Sequence, residues 1–199
     1  MPAVTAPPAP APAAPSDAAL LARSAGGDRA ALDELFRRYR AVAYRVAYRL
    51  LGREADALDA VQDGFVKALT NLDRFRGNSS FKTWLLRIVG NAALDLGRRR
   101  KREGWNDRPR EVVPPDRPGP DAAPPPGTAL EWADVRRVIE CALARLPEAQ
   151  RQTFVLHVDG EMSYREVADA LGISIGTVMS RLFYARQKLK TLLADRVAL

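Results

Sequence analysis

The stretch Ser163-Tyr164-Arg165-Glu166-Val167-Ala168-Asp169-Ala170-Leu171-Gly172-Ile173-Ser174-Ile175-Gly176-Thr177-Val178-Met179-Ser180-Arg181-Leu182 decides how this chain is read. Ser163 and Glu166 have the S-x-x-E spacing of a capping box, in which a hydroxyl and a carboxylate satisfy free N–H groups at a helix start. Val167, Ala168 and Leu171 follow at helical spacing. Gly172 stands where a helix ends in left-handed backbone, and Ile173 supplies an apolar plug for the turn. Ser174 is placed to cap a second helix. Val178, Leu182, Ala185 and Leu189 give that helix one stripe to bury. Its opposite face carries Thr177, Met179, Ser180, Arg181, Phe183, Tyr184, Arg186 and Lys188, a mixture of phosphate ligands and groups able to touch base edges. This is the pattern of a helix-turn-helix, whose second helix enters the DNA major groove.

The rest of the chain narrows the alternatives. Its 199 residues allow one domain or two small ones, and 47% hydrophobic content supplies a core for each. The net charge of +7 favours an acidic partner such as nucleic acid. Cys141 is the one cysteine and His157 the one histidine, so neither an internal disulfide nor a Cys/His zinc site is available. Cys141 lies in an apolar helical pattern and reads as a core residue. His157, after Val155 and Leu156, reads as structural. No nucleophile triad, phosphate-binding glycine loop or metal-binding carboxylate cluster is apparent, so catalytic, metal and cofactor assignments are all none, and an enzyme has no support. Met1 to Pro15 lacks the basic start and apolar run of a signal peptide, and no stretch is apolar enough to span a membrane. The expectation is a cytoplasmic protein without direct membrane insertion.

Two composition breaks organise the chain. The first follows a Pro/Ala leader and the second is rich in proline, from Pro109 to Pro126. The expected organisation is a disordered leader over 1–17, a helical domain over 18–102, an extended linker over 103–127 and a second helical domain over 128–199. There is no alternating strand pattern and no internal repeat. The expected fold class is all-α, two small helical domains joined by a Pro-rich linker.

In the first domain, Asp28 can cap a helix whose apolar face is Leu32, Leu35, Phe36, Tyr39, Val42, Ala43, Val46 and Leu50, closed by Gly52. A second helix has Leu58, Val61, Phe65 and Leu69 on its apolar side, with Asp59, Gln62, Asp63 and Lys67 opposite. Gly64 inside it costs about 1 kcal/mol relative to alanine and raises the question of close packing. After the polar loop Asn71 to Ser80, a third helix buries Phe81, Trp84, Leu85, Ile88, Val89, Ala92 and Leu96. Arg87, Asn91 and Asp95 lie on another face at spacing four. The helix runs into Arg98-Arg99-Arg100-Lys101-Arg102. A helix macrodipole accounts for one or two of those cations, not five.

Asp59-Ala60-Val61-Gln62-Asp63-Gly64-Phe65, followed by Phe75-Arg76-Gly77-Asn78-Ser79-Ser80-Phe81-Lys82-Thr83-Trp84-Leu85, resembles domain two of a bacterial sigma factor. The best match is the extracytoplasmic-function (ECF) group of the sigma-70 family. Leu146-Pro147 through Leu189 resembles domain four of the same group. The resemblance covers roughly residues 18 to 195. It implies a transcription initiation factor that binds core RNA polymerase and directs it to promoter DNA, reading the −35 element as duplex and helping to melt the −10 element. On that resemblance, Asp59, Gln62 and Asp63 dock on the polymerase. Arg74, Phe75, Arg76, Asn78, Ser79, Ser80, Lys82, Arg87, Asn91, Arg98 and Arg99 bind and melt −10 DNA, by holding flipped bases and neutralising phosphates. Ser174, Thr177, Met179, Ser180, Arg181, Phe183, Tyr184, Arg186 and Lys188 bind −35 DNA. Trp84 is either a wedge between bases or a core residue. An anti-sigma factor is a further implied partner.

The chain departs from the common family pattern at Met179, where relatives often carry Lys or Arg, at Phe183 or Tyr184, and at Gly90, where many carry a larger residue. Met cannot bridge two acceptors of guanine, so less guanine readout is expected. The linker is long enough for its task. About 25 extended residues reach about 75 Å, against about 55 Å between the two promoter elements. Its acidic residues Glu103, Asp107, Glu111, Asp116 and Asp121 either mimic an RNA backbone or solubilise it. Two rival readings stand beside this one. A helix-turn-helix regulator that does not join the polymerase core would fail to co-purify with it. A protein-only adaptor would show no salt-sensitive DNA binding.

Overall fold

A computed structural model describes residues 14–103 and 129–197. Most of the leader and of the linker, including Asp107, Glu111, Asp116 and Asp121, lie outside the described residues. Among those described there are eight α-helices, one 3-10 turn and no strand. They fall into two compact units, divided between Arg38 and Tyr39.

The first unit begins with a helix that the pattern reading did not mark, α1 (Asp17–Ala25). Ser16 caps it, its hydroxyl accepting from the Ala19 N–H at 3.2 Å. Gly27, at φ +89°, turns the chain. Asp28 then caps α2 (Arg29–Leu51) by accepting from the Ala31 N–H at 3.2 Å. Hydrogen bonds from the Arg23 guanidinium hold the Asp28 carboxyl below the usual carboxylate range. Arg38 reaches back to Asp17 at 2.6 Å. Leu20, Ala31 and Leu35 are buried.

The second unit takes the remainder of α2, which buries Val42, Ala43, Val46, Ala47, Tyr48 and Leu50 and ends at Gly52 with φ +71°. It continues with α3 (Glu54–Thr70), a 3-10 turn at Leu72–Arg74, α4 (Phe81–Arg102), α5 (Ala129–Ala144), α6 (Glu148–Val158), α7 (Tyr164–Leu171) and α8 (Ile175–Val197). In α3 the predicted apolar side is not the buried one. Of Leu58, Val61, Phe65 and Leu69, Val61 is buried and Phe65 half-buried, whereas Leu58 is 46% and Leu69 43% exposed. The buried stripe is Ala57, Ala60, Val61, Gly64 and Ala68. The cause is the approach of α4. A methyl group on Gly64 would lie 2.8 Å from Val89 Cγ2 and 3.0 Å from Val89 Cα. At Gly64 not even a methyl group fits, and the rest of the stripe is mostly alanine, while Leu58 and Leu69 turn outward.

The same contact explains part of the basic run. Asp56, buried in α3, pairs with Arg100 at 3.1 Å and with Arg53 at 3.5 Å. Arg100 is therefore an internal counter-ion. Besides packing on α3, α4 meets α6 and α7, and its burial is wider than one face, taking in Leu86, Ala93 and Leu94.

Helices α5, α6 and α7 all pack on α8. Ala142, Leu143, Leu146, Ala185 and Leu189 form a core there, with Ile139, Phe154, Leu192 and Leu193 around it. Cys141 does not join that core. It is exposed, because Ala142 and Leu143 are the α5 residues that turn inward. His157 is structural, its Nδ1 2.7 Å from the Met162 carbonyl and its ring edge-on to Tyr164. No helix among the described residues is long and apolar enough to cross a membrane.

Candidate nucleic-acid interface

The α7–α8 pair is built from its caps. Ser163 Oγ accepts from the Glu166 N–H at 3.2 Å, and Glu166 accepts in return from the Ser163 N–H at 2.9 Å, closing the capping box. Burial pushes the Glu166 carboxyl up, but hydrogen bonds from Ser163 and Thr83 and the charge of Lys82 outweigh it and hold it below the usual range. Gly172 ends α7 at φ +64° in the left-handed region. Ser174 Oγ accepts from the Thr177 N–H at 3.1 Å and lies 2.9 Å from Thr177 Oγ1. These two hydroxyls thus shape the start of α8. Val178, Leu182, Ala185 and Leu189 are buried as one stripe.

The outward side of α8 is open. Met179, Phe183 and Tyr184 are each more than half exposed, with Ser180, Arg186 and Lys188 exposed beside them and Thr177 and Arg181 half-buried. Phe183 and Tyr184 meet edge to face at 5.4 Å. A shallow groove of about 450 Å³ runs between Tyr164, Met179, Phe183, Arg186, Gln187 and Lys190. Its lining combines aromatic and apolar side chains with two cations, which suits a base edge or methyl with a phosphate alongside.

A second surface lies at the start of α4. Ser80 caps that helix, accepting from the Thr83 N–H at 3.1 Å. The preceding loop turns at Gly77, φ +71°. Arg74, Arg76 and Asn78 are exposed and Ser79 half-buried. Phe75 is held by rings, its centroid 5.2 Å from Trp84 and 5.9 Å from Phe81. Trp84 is half-buried in that cluster, also 5.8 Å from Phe81, so it packs as a core-edge residue. Arg87, Asn91 and Arg99 are exposed along α4.

Two of the cations expected on this surface are engaged inside the chain. Lys82 Nζ lies 3.3 Å from Glu161 Oε2, and Arg98 Nε donates to Glu148 Oε1 at 3.1 Å. The Glu148 hydrogen bond and charge hold the Arg98 guanidinium still more firmly protonated. Deeper in, Arg49 reaches Asp159 at 3.3 Å and Glu140 at 3.5 Å. Burial pushes Asp159 up against the pull of Arg49. Burial and the Glu140 charge push Tyr48 up to about 12.

A third surface is the outward face of α3. Asp59, Gln62 and Asp63 are exposed there, with Asp63 paired to Lys67 at 2.7 Å. Leu58, Val66 and Leu69 are exposed alongside. The periodicity places Leu58 and Leu69 on the buried side and does not mark Val66, so it misses this apolar surface. Gly64 was the signal that could have revealed it, since a mid-helix glycine marks close packing on its own side.

The helical segments match known families in the same order. Residues 35–103 match Sigma-70 region 2 and residues 136–189 match Sigma-70, region 4. The ECF RNA polymerase sigma factor SigM of Mycobacterium tuberculosis is 39% identical over 89% of this chain and 85% of its own length. The structure of CnrH in complex with the cytosolic domain of CnrY is similar with a TM-score of 0.66 and 30% identity, over 90% of this chain and 97% of that one. The sigma factor RpoE from Bartonella quintana, solved in complex with the anti-sigma factor NepR, is similar with a TM-score of 0.62 and 26% identity, over 81% and 97%. With both regions present in this order, the chain belongs to the ECF group of the sigma-70 family of RNA polymerase sigma factors.

Proposed function

We propose that this chain directs core RNA polymerase to promoters through three separate surfaces. The outward face of α8, with Thr177, Met179, Ser180, Arg181, Phe183, Tyr184, Arg186 and Lys188, reads the −35 element in the major groove. Ser174 acts there chiefly by capping the helix. The loop from Arg74 to Ser80 and the exposed side of α4, with Lys82, Arg87, Asn91, Arg98 and Arg99, hold the melted −10 strand. Asn91 supplies an amide for a flipped base and the cations supply phosphate contacts. Asp59, Gln62 and Asp63 on α3 dock on the polymerase, with Leu58, Val66 and Leu69 adding apolar area. Residues 18–102 and 128–199 are the two working domains. The polymerase performs the chemistry, in the cytoplasm, and an anti-sigma protein is the antagonist to seek.

The observation that carries this reading is the outward face of α3. A mixed acidic and apolar helix face, exposed beside a basic DNA-facing one, suits a protein partner and has no use in a simple operator-binding regulator. The test is multi-round transcription with purified core polymerase and a genomic promoter library, with and without the chain. Chain-dependent transcripts that share two upstream elements are expected. Salt-sensitive DNA binding without such transcripts would favour a regulator that acts apart from the polymerase.

A further inference from the structure

Two large apolar side chains stand open on the outward side of α8. Met179 and Phe183 are each 55% exposed, although the same helix buries Val178 and Leu182 beside them. They lie one turn apart on one side of the helix. Phe183 is braced edge to face by Tyr184, their ring centroids 5.4 Å apart. Tyr164 of α7 joins them in lining the groove, and its own ring is braced by His157 at 4.9 Å. An exposed apolar patch of this kind marks a surface that a partner covers. The hydroxyls nearby are largely committed to the helix itself. Ser174 and Thr177 share one proton across 2.9 Å, and Ser180 Oγ donates to the Thr177 carbonyl at 3.0 Å. From Ile175 to Ala194 the helix carries Arg181, Arg186, Lys188 and Lys190 and no carboxylate. An occupant that offers apolar points set in a polyanion matches both features. In the DNA major groove that apolar point is the thymine 5-methyl group, with phosphates alongside.

We propose that Met179 and Phe183 read thymine 5-methyl groups, so that thymine and not guanine is selected at the −35 positions facing them. The inference rests on the reading above of α8 as the −35 helix and names the base that two of its residues select. Neither side chain has a donor for the two acceptors of guanine, and each gains by burying a methyl group. Residues four apart are separated by about 6 Å along a helix axis. Two base-pair steps span about 7 Å, so the two methyl groups belong to thymines one or two steps apart. The cations on either side of the apolar pair hold the backbone that carries them.

The test uses holoenzyme assembled from the full chain and core polymerase. Duplexes that it retains from a genomic promoter library supply the −35 element, and deoxyuridine then replaces thymine there one position at a time. Uracil pairs as thymine does and lacks only the methyl group, so the protein is untouched. Affinity for the fluorescein-labelled duplex is measured by anisotropy at one fixed salt concentration. Two thymines one or two steps apart should each lose about fourfold in affinity on replacement, as the loss of one buried methyl group requires. Holoenzyme carrying Met179→Ala and Phe183→Ala should bind the thymine duplex more weakly and no longer distinguish it from the deoxyuridine duplex. Uracil tolerated at every position overturns the thymine reading, and so does a uracil penalty that persists in the double variant. In both cases a −35 element that is still required leaves α8 in its −35 role. An affinity and a choice of element unchanged in the double variant would overturn more, taking this side of α8 off DNA and leaving the groove to an acidic protein partner.

Discussion

Helices α3 and α8 are both amphipathic, and they bury opposite kinds of residue. The buried stripe of α8 is Val178, Leu182, Ala185 and Leu189, as a pattern of large apolar residues leads one to expect. The stripe of α3 is mostly Ala and Gly, while its leucines face solvent. The difference lies in how near the partner helix comes. Where α4 approaches α3 to within contact of Val89 Cα, small residues are the core and large ones are left at the surface. Around α8 ordinary side chains interdigitate, and polar, basic and aromatic groups are left outside together with Ile175 and Met179.

The sharpest way to break this comparison is to truncate the same residue type in both helices. Leu182→Ala should cost about 2–5 kcal/mol, as for a buried leucine that leaves a cavity, whereas Leu58→Ala should change stability by less than about 0.5 kcal/mol. Urea denaturation of the full chain measures both. A large loss at Leu58 would mean that α3 buries its leucines after all. The same Leu58 variant should still weaken the complex with core polymerase.

Glycine substitutions sharpen the point at the next size down. Gly64→Val should destabilise by about 1–3 kcal/mol through overpacking against Val89. Gly90→Ala meets only ordinary contact at 3.9 Å and should gain up to about 1 kcal/mol from helix propensity. Thermal melting with opposite signs for the two glycines is the expected result.

Smaller still is the cap of the helix-turn-helix. Ser163→Ala should cost about 1 kcal/mol. Its partner gives a pH signature. The folded Glu166 carboxyl titrates below its unfolded value, so its contribution is fully present above the unfolded pKa. It fades as pH falls through the folded one. Urea midpoints of the wild type should therefore drop more than those of Glu166→Gln between neutrality and about pH 3. Equal drops would remove Glu166 as the source. Least of all, Arg186→Ala should leave stability unchanged and lower the salt slope of DNA binding by about one. An unchanged slope would take Arg186 off the phosphate contacts.

What could be read in advance follows the range of the interaction. Caps at Asp28, Ser163 and Ser174, turns at Gly52 and Gly172 and the α8 stripe are local, set by residues a few positions apart, and the structure has them all. The burial of Leu86 and Leu94, the outward turn of Leu58 and Leu69 and the exposure of Cys141 depend on which helix lies beside which, and no period within one helix encodes that. The same limit applies to Lys82, Arg98 and Arg100. Their charge is plain from the sequence, but the carboxylates that hold them are brought in from other helices.

The contact between Gly64 and Val89 has a mechanical consequence. Two helices that meet at backbone distance cannot roll or slide without a clash, because a packed interior transmits strain instead of absorbing it. They therefore move as a rigid lever. On the proposed roles of the two helices, a grip on the outer face of α3 would set the aim of α4 with little play, and the posture of one bound macromolecule would fix where the other is held.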